Sequence, residues 1–168
     1  MDSFKEQIVR KLPTQNDKLQ KIFIMIGSVA LAALCFIFPF GTQFSVIGIF
    51  LAAAALYGGY YLITKLDVEY EYIFTNGEID VDKITAQRSR KRLITFRCGA
   101  ATDFGVADDN FEVEDGRTQV LACACNSELT DYYISFNHKN FGETTVIFTP
   151  DEDMLALIKP ALPRTLRK

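Results

Sequence analysis

Four positive charges fall within five residues at Arg88, Arg90, Lys91 and Arg92, with Lys83 and Arg97 nearby. Such a cluster attracts anionic lipid headgroups at roughly 1 kcal/mol per basic residue near a membrane surface, or docks an acidic protein segment. The competing reading is a solvated loop between strands whose cations pair with acidic neighbours. Nucleic acid is not an expected partner, because residues 65–168 carry 13 basic against 18 acidic side chains and no recognised binding motif.

The other residues with chemical potential do not assemble into a reaction. Cys98, Cys123 and Cys125 could supply thiolates to a metal, but only His138 is available to join them and the spacing is irregular. They read better as small buried apolar residues, and no disulfide is expected in a reducing cytoplasm. His138 sits in a turn-like context, and no serine or cysteine occupies a nucleophile motif. The acidic run from Asp108 to Asp115 fails calcium-loop spacing, since its glycine comes late and the closing glutamate is missing. No Gly-rich phosphate loop is present. The expectation is a protein without catalysis, metal or cofactor; a metal-dependent enzyme or subunit built on those cysteines and His138 is the weaker alternative.

The elements that position these residues begin with a charge gap. The 168-residue chain has 18 Lys and Arg against 21 Asp and Glu, a net charge of −3. Ile22 to Thr64 contains none of them, and 32 of its 43 residues are apolar. A wholly water-soluble protein is therefore not expected. Pro39-Phe40-Gly41-Thr42-Gln43 divides the window into apolar stretches at 22–38 and 44–63. At 1.5 Å per residue they reach roughly 26 and 30 Å as helices, close to a bilayer core. A secretory signal peptide would have a shorter apolar region. The segment 22–64 is thus predicted to be a transmembrane helical hairpin. Within it, Gly48 with Ala52 and Ala55 with Gly59 place small residues four apart, a spacing that permits close helix packing.

Lys5, Arg10, Lys11, Lys18 and Lys21 precede the hairpin, Lys65 closes it, and its turn is uncharged. The positive-inside rule then sets both termini in the cytoplasm of a two-span cell-membrane protein. No ionisable residue lies in the spans, so a proton or ion pathway is not expected. Residues 1–21 read as a cytoplasmic amphipathic tail: Ser3 and Glu6 fit a capping box, and Phe4, Ile8, Val9 and Leu12 follow helical spacing up to Pro13.

Residues 65–168 suit one small domain. Val68, Tyr70, Tyr72 and Phe74 alternate with acidic residues, Asn76-Gly77 is the preferred pair of a type I′ turn, and 78–82 alternate again, so a β-hairpin is predicted. Further strands are predicted at 92–97, 102–106, 119–125, 131–137 and 144–148. Thr149-Pro150-Asp151-Glu152 then starts a helix carrying Met154, Leu155, Leu157, Ile158 and Leu162. The fold class is α+β: about seven strands in a bent sheet or barrel, closed by a carboxy-terminal helix.

Two spans followed by Val68-Glu69-Tyr70-Glu71-Tyr72-Ile73-Phe74-Thr75-Asn76-Gly77-Glu78-Ile79-Asp80-Val81, with Arg88 to Arg92 leading into Leu93-Ile94-Thr95-Phe96, resemble small bacterial membrane proteins with a carboxy-terminal PH-like domain. The opening Met1 to Val9 is similar to theirs as well. The resemblance implies a fold and a cytoplasmic location, and brings no catalytic residues. Phosphoinositide-binding PH domains use a long basic loop between their first two strands; here that loop is Asn76-Gly77, without a basic residue. The expected partners are membrane lipids and a protein, either another molecule or a second copy of the chain. Anionic-lipid sensing through 88–92 is the alternative function.

Overall fold

The period-two pattern at Val68 to Phe74 needs partners on both sides, and the computed structural model supplies one from an unexpected place. It describes residues 3–108, 111–124 and 129–167. Its elements are β1 (Phe4–Arg10), α1 (Gln15–Ile37), α2 (Ser45–Lys65), β2 (Val68–Thr75), β3 (Glu78–Thr85), β4 (Ser89–Arg97), β5 (Ala101–Val106), β6 (Thr118–Ala122), β7 (Tyr132–His138), β8 (Gly142–Phe148) and α3 (Glu152–Ala161). The chain divides into two compact units: residues up to Leu12 with those from Val68 onward, and Pro13–Asp67.

In the first unit, β1, β2, β3 and β4 form one antiparallel sheet in that order. The second sheet has the order β5-β7-β8-β6, with β6 parallel to β8. Tyr70, Tyr72, Phe74, Ile79, Val81, Ile94 and Phe96 from the first sheet meet Ile134, Phe136, Val146 and Phe148 from the second in one core. Phe96 stacks on Phe136 with centroids 4.6 Å apart, and Tyr72 meets Phe148 edge-on at 5.7 Å. Met154, Ile158 and Leu162 of α3 are buried in the same core, each worth about 1.5–3 kcal/mol in apolar burial. The β2–β3 connection is the expected tight turn: Asn76 and Gly77 both adopt positive φ, 48° and 88°. Seven strands, β2 to β8, lie between Val68 and α3, and β1 is an eighth.

The amino-terminal helix expected over 4–12 is instead strand β1. Phe4 pairs with Thr75 and Arg10 with Glu69 in unbroken antiparallel register. The supposed apolar stripe splits between two faces: Val9 is buried inward with the partly buried Lys5 and Gln7, while Phe4 and Ile8 are exposed. So short a helix is marginal in water, whereas a ladder on β2 satisfies the backbone directly. Ser3 caps nothing; its N–H donates to Asn76 Oδ1 at 3.1 Å. Residues 1–21 are therefore not one separate tail, since the segment up to Leu12 belongs with the β domain.

Other boundaries move for local reasons. In the second unit α1 starts at Gln15, seven residues before the predicted Ile22, because Thr14 is its N-cap and Asp17 Oδ2 accepts the Thr14 N–H at 3.0 Å. The helix α2 runs on through Lys65. In the β domain, Asp151 rather than Thr149 caps α3, accepting the Met154 N–H at 2.7 Å. Thr149 is buried and spans neighbours instead, accepting from Ala124 N at 2.8 Å and donating to Asp131 Oδ1 at 2.5 Å.

Candidate functional site

The basic cluster is not a loop. Only Arg88 lies in the β3–β4 turn; Arg90, Lys91 and Arg92 are on strand β4, which starts three residues earlier than its apolar pattern suggested. Register explains this: Ile84 pairs with Arg90, Lys83 with Lys91 and Asp82 with Arg92, after a bulge between Val81 and Asp82. Exposed arginines and lysines do not look like a strand, but β3 supplies the ladder that makes them one.

Two of the four cations are already engaged. Arg92 Nη1 lies 2.7 Å from Asp80 Oδ1, its Nε pairs with Asp82, and Nη1 also donates to Thr95 Oγ1 at 3.2 Å. Arg90 Nη2 lies 2.7 Å from Glu71 Oε1. Glu71 points to the outer face of the sheet yet has no exposed side-chain surface, and its Oε2 has no hydrogen-bond partner. Burial first, then the neighbouring Glu6 and Asp82, raise its pKa above the usual carboxylate range, with Arg90 opposing them.

Arg88, Lys91 and Lys83 make no ion pair among the described residues. They gather at one end of the first sheet, where Val68 pairs with Thr85 and Arg10 with Glu69. From that end the chain runs four residues from Arg10 to α1, and it returns from α2 two residues before Val68. The Asn76-Gly77 turn is at the opposite end of the eight-residue β2.

A cleft of about 430 Å³ lies near the Asn76-Gly77 end, with Phe96, Ala100 and Phe136 in its wall. It is lined by Glu78, Thr95, Arg97, Asn137, His138 and Lys139 among others. Arg97 is tied to Glu78 at 3.0 Å, and His138 stacks on Phe141 with centroids 4.9 Å apart while its Nδ1 accepts the Asn140 N–H. These residues come from strands far apart in sequence, so no local spacing announces the cleft.

Among the described residues, Cys98, Cys123 and His138 are not brought together as a metal site. Cys98 is buried, its thiol pushed up to about 12 by burial, and Cys123 is also buried. No group of three or more potential metal ligands occurs among the described residues. Cys125, Asp109 and Asn110 lie outside the described residues.

The small residues of α2 are placed against α1 and the turn. Gly48 and Gly59 are buried, while Ala52 and Ala55 between them are partly buried. A Cβ on Gly48 would overlap Pro39 and come within 2.6 Å of the Cys35 carbonyl; one on Gly59 would overlap Ser28. Both helices, of 23 and 21 residues, are long and apolar enough to cross a membrane.

No curated protein and no solved structure matches the chain. A family model described as "Bacterial PH-like domain (DUF6106)" matches residues 1–168. With two packed sheets closed by a carboxy-terminal helix and two apolar helices between its first two strands, the chain belongs to that bacterial PH-like family.

Proposed function

We propose that this chain is a non-enzymatic membrane protein that holds its PH-like domain at the cytoplasmic face of the bacterial cell membrane, where the domain binds a protein partner or a second copy. The observation that carries this reading is the insertion of both apolar helices between β1 and β2, neighbouring antiparallel strands of one sheet. Chain departure and return at the same end of that sheet support a hairpin whose two outer helix ends emerge on one side of the bilayer, with the turn at Pro39 to Gln43 on the other. The flanking Lys and Arg residues assign the domain side to the cytoplasm. A Thr42→Cys chain in intact cells is expected to react with a membrane-impermeant maleimide; reaction only after lysis would reverse the orientation.

A second reading is favoured by the position of Arg88, Lys91 and Lys83 at the sheet end nearest the helices in sequence. Three cations there would attract anionic headgroups with about 1 kcal/mol each. Full chains reconstituted with and without anionic lipid, and probed for domain protection from protease, test it: protection independent of anionic lipid removes this reading.

A further inference from the structure

Strand β1 is an outer strand of its sheet, and half of its backbone faces away from β2. Asn76 donates its N–H to the Ser3 carbonyl at 3.0 Å, and Lys11 donates to Val68 at 3.1 Å. These two bonds fix the alternation: odd-numbered residues bond β2, and even-numbered residues turn their N–H and C=O groups outward. Phe4, Glu6 and Ile8 find no backbone partner on that side among the described residues.

The edge has only part of the usual protection: Glu6 and Arg10 are exposed along it, but they are opposite in sign and can pair with each other across a two-fold axis. Pairing with β2 is continuous from Phe4 to Arg10, with no bulge and no proline. Lys5, the only lysine of the strand, is drawn away to Asp151 and Asp153 at 3.2 and 3.0 Å. Phe4 and Ile8 are meanwhile 62% and 57% exposed. Strand edges that remain single are ordinarily blocked by charge, proline or a bulge, because an open row of donors and acceptors templates further pairing.

The structure assigns this edge to a second copy of the same chain, paired antiparallel about Ile8. This deepens the reading of the domain as a partner-binding or self-associating module and rests on it. In that register Ile8 meets Ile8 of the second copy, and Glu6 meets Arg10 on both sides of the two-fold axis. Centring on Glu6 or Arg10 would oppose like charges, and centring on Gln7 would set each charge against an apolar side chain. Arg10 keeps its existing contact, since a guanidinium has donors for more than one partner. The ladder ends there, because the Leu12 N–H already bonds the Ala124 carbonyl at 2.9 Å.

Disulfide trapping in membranes of cells expressing the full chain tests the register. Ile8→Cys and Glu6→Cys chains are oxidised, the membranes are then washed at alkaline pH, and both fractions are resolved without reductant. Ile8→Cys is expected to give about tenfold more covalent dimer than Glu6→Cys, whose thiols would be about 14 Å apart in this register, too far to bridge. The unsubstituted chain sets the background from native cysteines. Equal dimer from the two variants, monomer alone, or a cross-link to a species of another mass would overturn the assignment. Shielding of Ile8→Cys by the bilayer from a water-soluble maleimide would do so as well. Retention of the chain after the wash reports separately on the membrane reading, so either can fail without the other. As a second measurement, Ile8→Arg is expected to halve the mass found by light scattering of the detergent-solubilised protein.

Discussion

The Arg90 guanidinium lies 2.7 Å from Oε1 of Glu71, while the other oxygen of that fully buried carboxyl has no partner. Burial, Glu6 and Asp82 together outweigh Arg90 and raise the Glu71 pKa. A carboxyl raised on folding stabilises the fold fully below its unfolded value near 4.5, and that contribution is lost as pH rises through the folded value. The Glu71→Gln chain lacks this loss. Its melting temperature relative to the unsubstituted chain is expected to climb as pH rises above the unfolded value of 4.5. A difference that stays constant as pH rises would show an unperturbed carboxyl.

Tyr72 joins the two sheets through one oxygen: its hydroxyl donates to the Ala122 carbonyl and accepts the Thr149 N–H at 3.2 Å. Tyr72→Phe keeps the ring but strands a buried carbonyl and a buried N–H. The expected loss is about 1–3 kcal/mol, from the desolvation of groups left unpaired. Denaturant unfolding followed by near-ultraviolet signal checks it, and a loss within error would mean that water replaces the hydroxyl.

Neighbouring glycines of α2 should respond oppositely to the same change. A Cβ at Gly59 overlaps Ser28, whereas one at Gly58 meets nothing within 4 Å. Gly59→Ala is expected to destabilise helix packing by about 1–3 kcal/mol, the usual cost of overpacking. Gly58→Ala is expected to be neutral or to gain up to about 1 kcal/mol from helix propensity. Thermal aggregation of both variants in detergent gives the comparison; equal shifts would place the α1 contact elsewhere.

What the sequence made legible divides by range of interaction. The β2–β3 hairpin was plain because alternation and Asn76-Gly77 are both local signals. The apolar helices were plain because 43 uncharged residues allow little else. Strand β1 was hidden because its paired residues on β2 are 59 to 71 positions away across the helices, and a seven-residue segment with Phe4, Ile8 and Val9 satisfies helical spacing as well as alternation. The start of β4 was hidden for a related reason: Arg90 and Arg92 sit in a strand because Glu71, Asp80 and Asp82 on neighbouring strands hold them. Composition records the charges but not which of them face each other.

That pairing separates the four basic residues into two experimental classes. Arg92 is held by Asp80, Asp82 and Thr95, and Asp82 is itself buried. Removing the guanidinium leaves a buried carboxylate short of its cation, and because Arg92 itself is half exposed, Arg92→Ala is expected to cost about 1–3 kcal/mol. Arg88→Ala and Lys91→Ala remove no ion pair among the described residues and should change stability by no more than about 0.5 kcal/mol. If anionic lipid is read at this end of the sheet, the same two substitutions weaken domain attachment to anionic bilayers, each by about 1 kcal/mol. Measuring denaturant stability and lipid attachment on the same variants therefore separates a structural cation from a recognition cation. An Arg88→Ala chain as unstable as Arg92→Ala would show that Arg88, too, belongs to the fold.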